Sequence, residues 1–272
     1  MKRNLNFTDI IWLAMLFLAG VFLGNAAMAG LQMSISEEFA YTYGMLLVYP
    51  LQFIPMMLYV HGANRRISGV TDSIPIDNNG FGGRSGWCLA LTASIMMLAA
   101  AFVIEPVTML LPEMDAQTKA IMERLLNGPT WAVFLSVSVA APLFEEWLCR
   151  GVLLKGLIEK TGPAWAIVIS SLVFGLIHGN LWQAIPAFMM GCLLGYVYYR
   201  TGSLKLTMLM HSVNNTLSLI VSRIPALDDV EFFAEIISPW AYVASLIAFA
   251  AALTGGIALF STIRSPFSRK KD

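Results

Sequence analysis

Apolar residues dominate long stretches of this chain. Residues 10–36, 39–60, 85–104, 161–199, 206–222 and 236–263 contain no Asp, Glu, Lys or Arg. A helix needs about 20 apolar residues to cross the hydrocarbon core of a bilayer. The 161–199 run is too long for one span. It contains His178-Gly179-Asn180, a turn signal, and so predicts a tight hairpin of two spans. With a further segment around 130–157, the pattern predicts eight helices in an all-α membrane protein.

Composition agrees. Of 272 residues 57% are hydrophobic and 12% charged, against about 25% charged in a soluble domain. Net charge is zero, yet its placement is uneven. If the N-terminus with Lys2 and Arg3 is cytoplasmic, eight crossings put loops 61–86, 155–162 and 200–205 and the C-terminal tail on that side. Those segments hold Arg65, Arg66, Arg84, Lys155, Lys160, Arg200, Lys205, Arg264, Arg269, Lys270 and Lys271. The opposite side holds Lys119, Arg124 and Arg223 among Glu37, Glu38, Glu113, Asp115, Glu123, Asp228, Asp229, Glu231 and Glu235. This is the positive-inside pattern, and Trp87, Trp131, Trp165, Trp182 and Trp240 fall near predicted helix ends, where interfacial aromatics belong. The expectation is a multi-pass protein of a bacterial inner membrane with both termini cytoplasmic. A second reading takes residues 1–29, ending in Ala27-Met28-Ala29, as a cleaved signal peptide.

Three cysteines, Cys88, Cys149 and Cys192, lie in different apolar segments with no CxxC. They suggest neither a disulfide framework nor a zinc ribbon and read as small buried hydrophobes. Loop 61–86 holds six glycines and reads as surface. Residues 113–126 pair Ile121 with Leu125 and Met122 with Leu126 at i, i+4, as in a short interfacial amphipathic helix. Glu105-Pro106 is expected to close the third span. The chain divides into N-terminal helices (1–129), a core (130–222) and a last helix with a basic tail (223–272).

Inside the apolar runs and the 130–157 segment, charged side chains and histidines occur only between about 145 and 215. Such groups are expensive in lipid and face a cavity or each other. After the uncharged run 130–143 comes FEEWLCRG, residues 144–151. Glu146 and Arg150, at i, i+4, share a helix face and can pair; a structural ion pair is the plainer account of them. Glu145 points about 100° away, with no local partner, too short and too deep to snorkel to an interface. His178 ends FGLIH, where a lone histidine more often just closes a helix. In HSVNN, His211 and Asn215 share a face, and interhelical polar bonding is the simpler role for them. Asn214 faces elsewhere, towards a neighbouring helix. Together the set changes the odds. A carboxylate or imidazole can act as general base on water, and imidazole and amide donors can hold an oxyanion. The set fits hydrolysis of an amide or ester inside the membrane. No Gly-x-Ser-x-Gly, P-loop or His-Glu-x-x-His occurs, so serine-elbow, nucleotide-binding and standard zincin chemistry are not indicated.

EEWLCR, FGLIH and HSVNN, in this order on successive apolar helices, resemble the three motifs of the CPBP intramembrane proteases. That family comprises type II CAAX prenyl endopeptidases and bacteriocin-processing and immunity proteins. The resemblance covers roughly residues 130–222. It implies a helical bundle with an intramembrane catalytic cavity. Glu145 would activate water with help from His178, His211 and Asn215 would stabilise the oxyanion, and Glu146 and Arg150 would shape the site. It implies a peptide or protein substrate at the bilayer, membrane-embedded, lipidated or leader-bearing, and no nucleic acid. A family member is often labelled a metalloprotease. Glu145, His178 and His211 could hold Zn²⁺ with a position left for water, but the metal-free, glutamate-activated reading is favoured.

Depth raises a difficulty. At about 1.5 Å per residue, His211 lies roughly 10 Å, Glu145 roughly 18 Å and His178 roughly 22 Å from the cytoplasmic ends of their helices. Either the 163–199 hairpin stops short of the far face or its first helix begins outside the hydrocarbon, with the cavity opening to the cytoplasmic half. Two other functions compete. One is a non-catalytic adaptor or immunity protein on the same fold. The other is a proton-coupled transporter, which predicts inverted repeats that the sequence does not show.

Overall fold

The computed structural model describes residues 5–65, 76–78, 80–126, 128–227 and 230–268. Lys2, Arg3, Arg66, Asp228, Asp229, Arg269, Lys270 and Lys271, part of the charge pattern above, lie outside the described residues, as does Gly69 of the 61–86 loop. The protein is an all-α membrane protein, as lipid demands of a chain whose backbone polar groups must be satisfied within each span.

Helices α1 (Phe7–Ser34) and α2 (Glu37–Arg65) form an antiparallel pair, followed by α3 (Gly86–Thr108) and the short α4 (Ala116–Leu126). A helical run Thr130–Leu176 comes next. Gly162, at φ 77° and ψ 163° before Pro163, breaks it into α5 (130–161) and α6 (163–176). Then come α7 (Leu181–Thr201), α8 (Leu204–Val221) and α9 (Pro239–Ser261). The eight expected helices are thus present, with α4 as the short amphipathic piece. By length and composition six stretches could each cross a membrane, the whole of Thr130–Leu176 counting as one. α8 is not among them, because His211, Asn214 and Asn215 lower its hydropathy. α3 continues two residues past Pro106 instead of closing there, and Glu105 Oε1 accepts from the Ala234 N–H at 3.2 Å.

The turns follow from their residues. Gly179, at φ 72°, makes the α6–α7 turn, and Asn180 caps α7 by accepting from the Gln183 N–H at 2.9 Å. Asp115 caps α4, accepting the Thr118 N–H at 2.9 Å; that bond holds its carboxyl below the usual range. α1 runs unbroken through Ala27–Ala29. Its start is docked: Leu5 is buried and donates to the Gly156 carbonyl at 3.0 Å, and buried Asp9 accepts from Tyr59 Oη at 2.7 Å.

α5 is the central helix, with Leu148, Cys149, Val152, Leu153, Leu154 and Leu157 all buried. It alternates between α and π winding: π over Phe134–Ala140, α over Ala141–Glu146, π over Trp147–Leu154. Such wide turns concentrate at functional sites. The depth difficulty is resolved at one end. A Cβ on Gly151 would lie 3.6 Å from Leu204 Cδ2, so the start of α8 abuts α5 there. α5 runs on to residue 161 before α6 begins, so α5 and α6 project past the start of α8. At the other end Trp182 Nε1 donates to the Pro112 carbonyl at 2.8 Å, so the hairpin does reach the segment beyond α3.

Candidate active site

Glu146 and Arg150 form the expected pair. Arg150 Nη1 lies 2.6 Å from Glu146 Oε1 with both side chains fully buried. Arg150 Nη2 also donates to the Gly191 carbonyl at 2.9 Å, and the guanidinium stacks 4.5 Å over the Phe174 ring. Arginine's planar fork suits this double duty. The pair therefore ties α5 to both arms of the α6–α7 hairpin.

The surroundings of Glu145 were only half visible in the sequence. It has no partner on its own helix, as expected, and is 6% exposed. Across the bundle Tyr49 Oη of α2 donates to Glu145 Oε1. Its Oε2 has no hydrogen-bond partner and faces His211 Nε2 at 3.9 Å. His211 Nδ1 in turn lies 3.2 Å from Glu146 Oε1. His211 thus stands between two carboxylates, and Glu146 orients it besides pairing with Arg150. A carboxylate at Nδ1 fixes that nitrogen as the donor and turns Nε2 towards Glu145.

His178 is held first by the helix it follows. Its Nδ1 lies 2.8 Å from the Phe174 carbonyl, an acceptor, so Nδ1 carries the proton and Nε2 is the free nitrogen. Both imidazoles lie edge-on to the Phe174 ring, His178 at 5.3 Å and His211 at 5.2 Å between centroids. The two histidines thus share one aromatic neighbour.

Asn215 is engaged by the backbone of α5. In the first π segment the Ala141 N–H reaches the Ser136 carbonyl. The Val137 carbonyl then loses its α partner to Ser136, and its π partner, residue 142, is a proline with no N–H. Asn215 Nδ2 fills the gap, donating to the Val137 carbonyl at 2.8 Å. Asn214 does not bond a neighbouring helix as expected; its Nδ2 donates to Asn215 Oδ1 at 3.3 Å.

Five buried side-chain atoms have no partner among the described residues: Ser138 Oγ, Glu145 Oε2, Glu146 Oε2, Arg150 Nε and Ser171 Oγ. All lie on α5 and α6 around this site. Buried polar atoms are nearly always bonded, so these five set α5 and α6 apart as a polar stretch of the bundle. Tyr49, Ser138 and Ser171 were missed by sequence reasoning. Tyr49 is one aromatic in an uncharged run, and buried serines are ordinary in helices, so no local signal singled them out.

The site fits a metal poorly. Among the described residues no three His, Cys, Asp or Glu side chains gather as a metal-binding group. Glu145 and His211 adjoin, and His178 is not grouped with them as a third ligand. An open apolar cleft of about 890 Å³ lies between the start of α5 and the end of α8, lined by Trp131, Phe134, Thr216, Leu219, Ile220 and Arg223 among others. It reaches the residue after Asn215 but none of the three ionisable candidates. The opposite end is covered: Asp77 pairs with Lys205 at 3.0 Å, the Asn78 N–H donates to the Gly202 carbonyl at 2.8 Å, and Phe267 packs on Tyr198 and Tyr199.

Comparison with known proteins bears on the same segment. Residues 127–217 match the profile described as Rce1-like, type II CAAX prenyl endopeptidase Rce1-like. A Bacillus subtilis (strain 168) protein named "Putative membrane peptidase YdiL" is 28% identical over 114 residues, 42% of this chain and 46% of that protein. The chain thus spans about half the length of this curated relative. No solved structure matches.

Proposed function

We propose, from the match of residues 127–217 to the Rce1-like type II CAAX prenyl endopeptidase profile, that this integral membrane protein is an intramembrane endopeptidase. Its substrate is a membrane-embedded, lipidated or leader-bearing peptide. The observation that carries the reading is the unpartnered Oε2 of buried Glu145, facing His211 Nε2 at 3.9 Å. A carboxylate oxygen with no protein donor, in a water-poor site, is an available base.

In this reading Glu145 takes a proton from water as the water oxygen bonds to the scissile carbonyl carbon. The oxyanion is met by the second N–H of Asn215, the first being held by Val137, and by His211 when its Nε2 also carries a proton. The carbon–nitrogen bond then breaks, and the proton on Glu145 passes to the leaving amine. His178 assists through its free Nε2. Glu146 and Arg150 hold His211 and the hairpin in place. This reading routes no step through a metal. The charge asymmetry supports a bacterial inner-membrane location with both termini cytoplasmic.

The test uses the purified full chain in detergent. Wild type, Glu145→Gln and Glu146→Gln are scored for thermal stability, for bound metal by elemental analysis, and for cleavage of internally quenched peptides with and without a farnesylated cysteine. Glu145→Gln should lower cleavage by about 10²–10⁴-fold with stability kept, while Glu146→Gln mainly destabilises. Absent cleavage in wild type, or cleavage that survives Glu145→Gln, would favour a binding or immunity role on the same fold. Stoichiometric zinc lost in the Glu145 variant would make the protein a metalloenzyme.

A further inference from the structure

The contact from α2 to the site comes from outside the segment that matches the family profile. Tyr49 lies outside residues 127–217, yet its hydroxyl donates to Glu145 Oε1. The two oxygens of Glu145 are thereby distinguished: Oε1 is engaged by Tyr49, and Oε2 is the one without a partner, turned towards His211. A free carboxylate flips between equivalent orientations. One hydrogen bond to one oxygen removes that freedom and fixes which lone pairs meet the reactant.

The tyrosine is itself held. Its ring packs on Phe53 at 5.6 Å between centroids, and Phe53 stacks on Phe144, the residue before Glu145, at 5.3 Å and 22°. α2 is fixed in turn by close packing on α1. A Cβ on Gly20 would lie 1.9 Å from the Gln52 carbonyl oxygen, and one on Gly24 would lie 2.9 Å from the Gln52 side chain. Small residues at such contacts let two helix backbones approach. A chain of contacts thus runs from Gly20 and Gly24 through Gln52, along α2, to Tyr49 and Glu145.

We infer that Tyr49 is a positioning residue for Glu145. It orients the carboxylate so that Oε2 serves as the base, and thereby makes the N-terminal helix pair part of the active site. This rests on the proposed peptidase activity for its kinetic consequence but not for the contact itself. Two measurements therefore test it. In the first, the tyrosine C–O stretch is followed by infrared difference spectroscopy in full-length protein labelled with ring-¹³C tyrosine. Glu145→Gln should shift one tyrosine band, and the shift should vanish in a Tyr49→Phe background. No shifted band, or a shift that persists without the Tyr49 hydroxyl, overturns the contact whether or not the protein cleaves anything.

The second measurement is kinetic, on the farnesylated internally quenched peptide. Tyr49→Phe keeps the ring on Phe53 and removes only the hydroxyl. It should lower kcat by about 10–100-fold with KM and thermal stability unchanged, the pattern of an interaction that matters only in the transition state. Unchanged kcat, a rise in KM alone, or a loss that follows falling stability would leave Tyr49 a packing residue. Absence of cleavage in wild type would count against the peptidase reading and leave the spectroscopic result to decide the contact.

Discussion

Removing one member of the Glu146–Arg150 pair strands a full charge where no water reaches it. Both side chains are completely buried, and the uncompensated partner costs about 3–5 kcal/mol in such settings. Arg150→Met should therefore destabilise the protein by about that amount, read as a lowered midpoint of chemical unfolding in detergent. Arg150→Lys keeps the charge but not the fork. It can serve Glu146 or the Gly191 carbonyl, not both, and should fall between wild type and Arg150→Met. A lysine variant as stable as wild type would show that the hairpin contact adds nothing. The pair was legible in the sequence because i, i+4 spacing is a local rule. The bond from His211 Nδ1 to Glu146 was not, since it joins residues whose separation follows no helical period. Sequence reasoning accordingly gave Glu146 one role where the structure gives it two.

At the scale of the element, α5 shows how a proline can serve a site from a distance. Pro142 stands in α5 three residues before Glu145. What spacing could not reveal is the wide winding around it, since a one-residue shift of period leaves no trace in a uniformly apolar segment. The consequence is specific. Val137 offers its carbonyl sideways, and Asn215 takes it at 2.8 Å. Pro142→Ala restores an N–H that can close onto the α5 backbone and free the asparagine. A proline inside a helix ordinarily costs about 3 kcal/mol, so this variant should be as stable as wild type or more so. Its cleavage rate should nevertheless fall about 10²-fold, the lower end of the range for loss of one oxyanion donor. Stability and activity moving in opposite directions is the outcome to look for in paired unfolding and turnover measurements. An active Pro142→Ala protein would mean that Asn215 needs no anchoring.

At the scale of the whole molecule, charge-free runs disclosed seven of the eight expected helices and the segment around 130–157 the other, because lipid leaves a coarse signature that survives uncertainty at every helix end. The same runs said nothing of which helices meet. The contribution of α2 to the site, and the apolar cleft between the ends of α5 and α8 rather than at the other face, depend on packing between segments far apart in sequence. Orientation remains the property that charge argues best. α3 carries the decisive test, since exposed Ser85 precedes it and exposed Gln117 follows it in α4. With Cys88, Cys149 and Cys192 replaced by alanine, Gln117→Cys should react with a membrane-impermeant maleimide in intact cells. Ser85→Cys should react only after permeabilisation. The reverse result would invert the topology and place the strap at Asp77–Asn78 outside the cell. Labelling of both positions from one side would mean that α3, despite its length and hydropathy, does not cross. Either result would change which face of the bundle a substrate approaches, because the cleft and the covered end lie at opposite ends of α8.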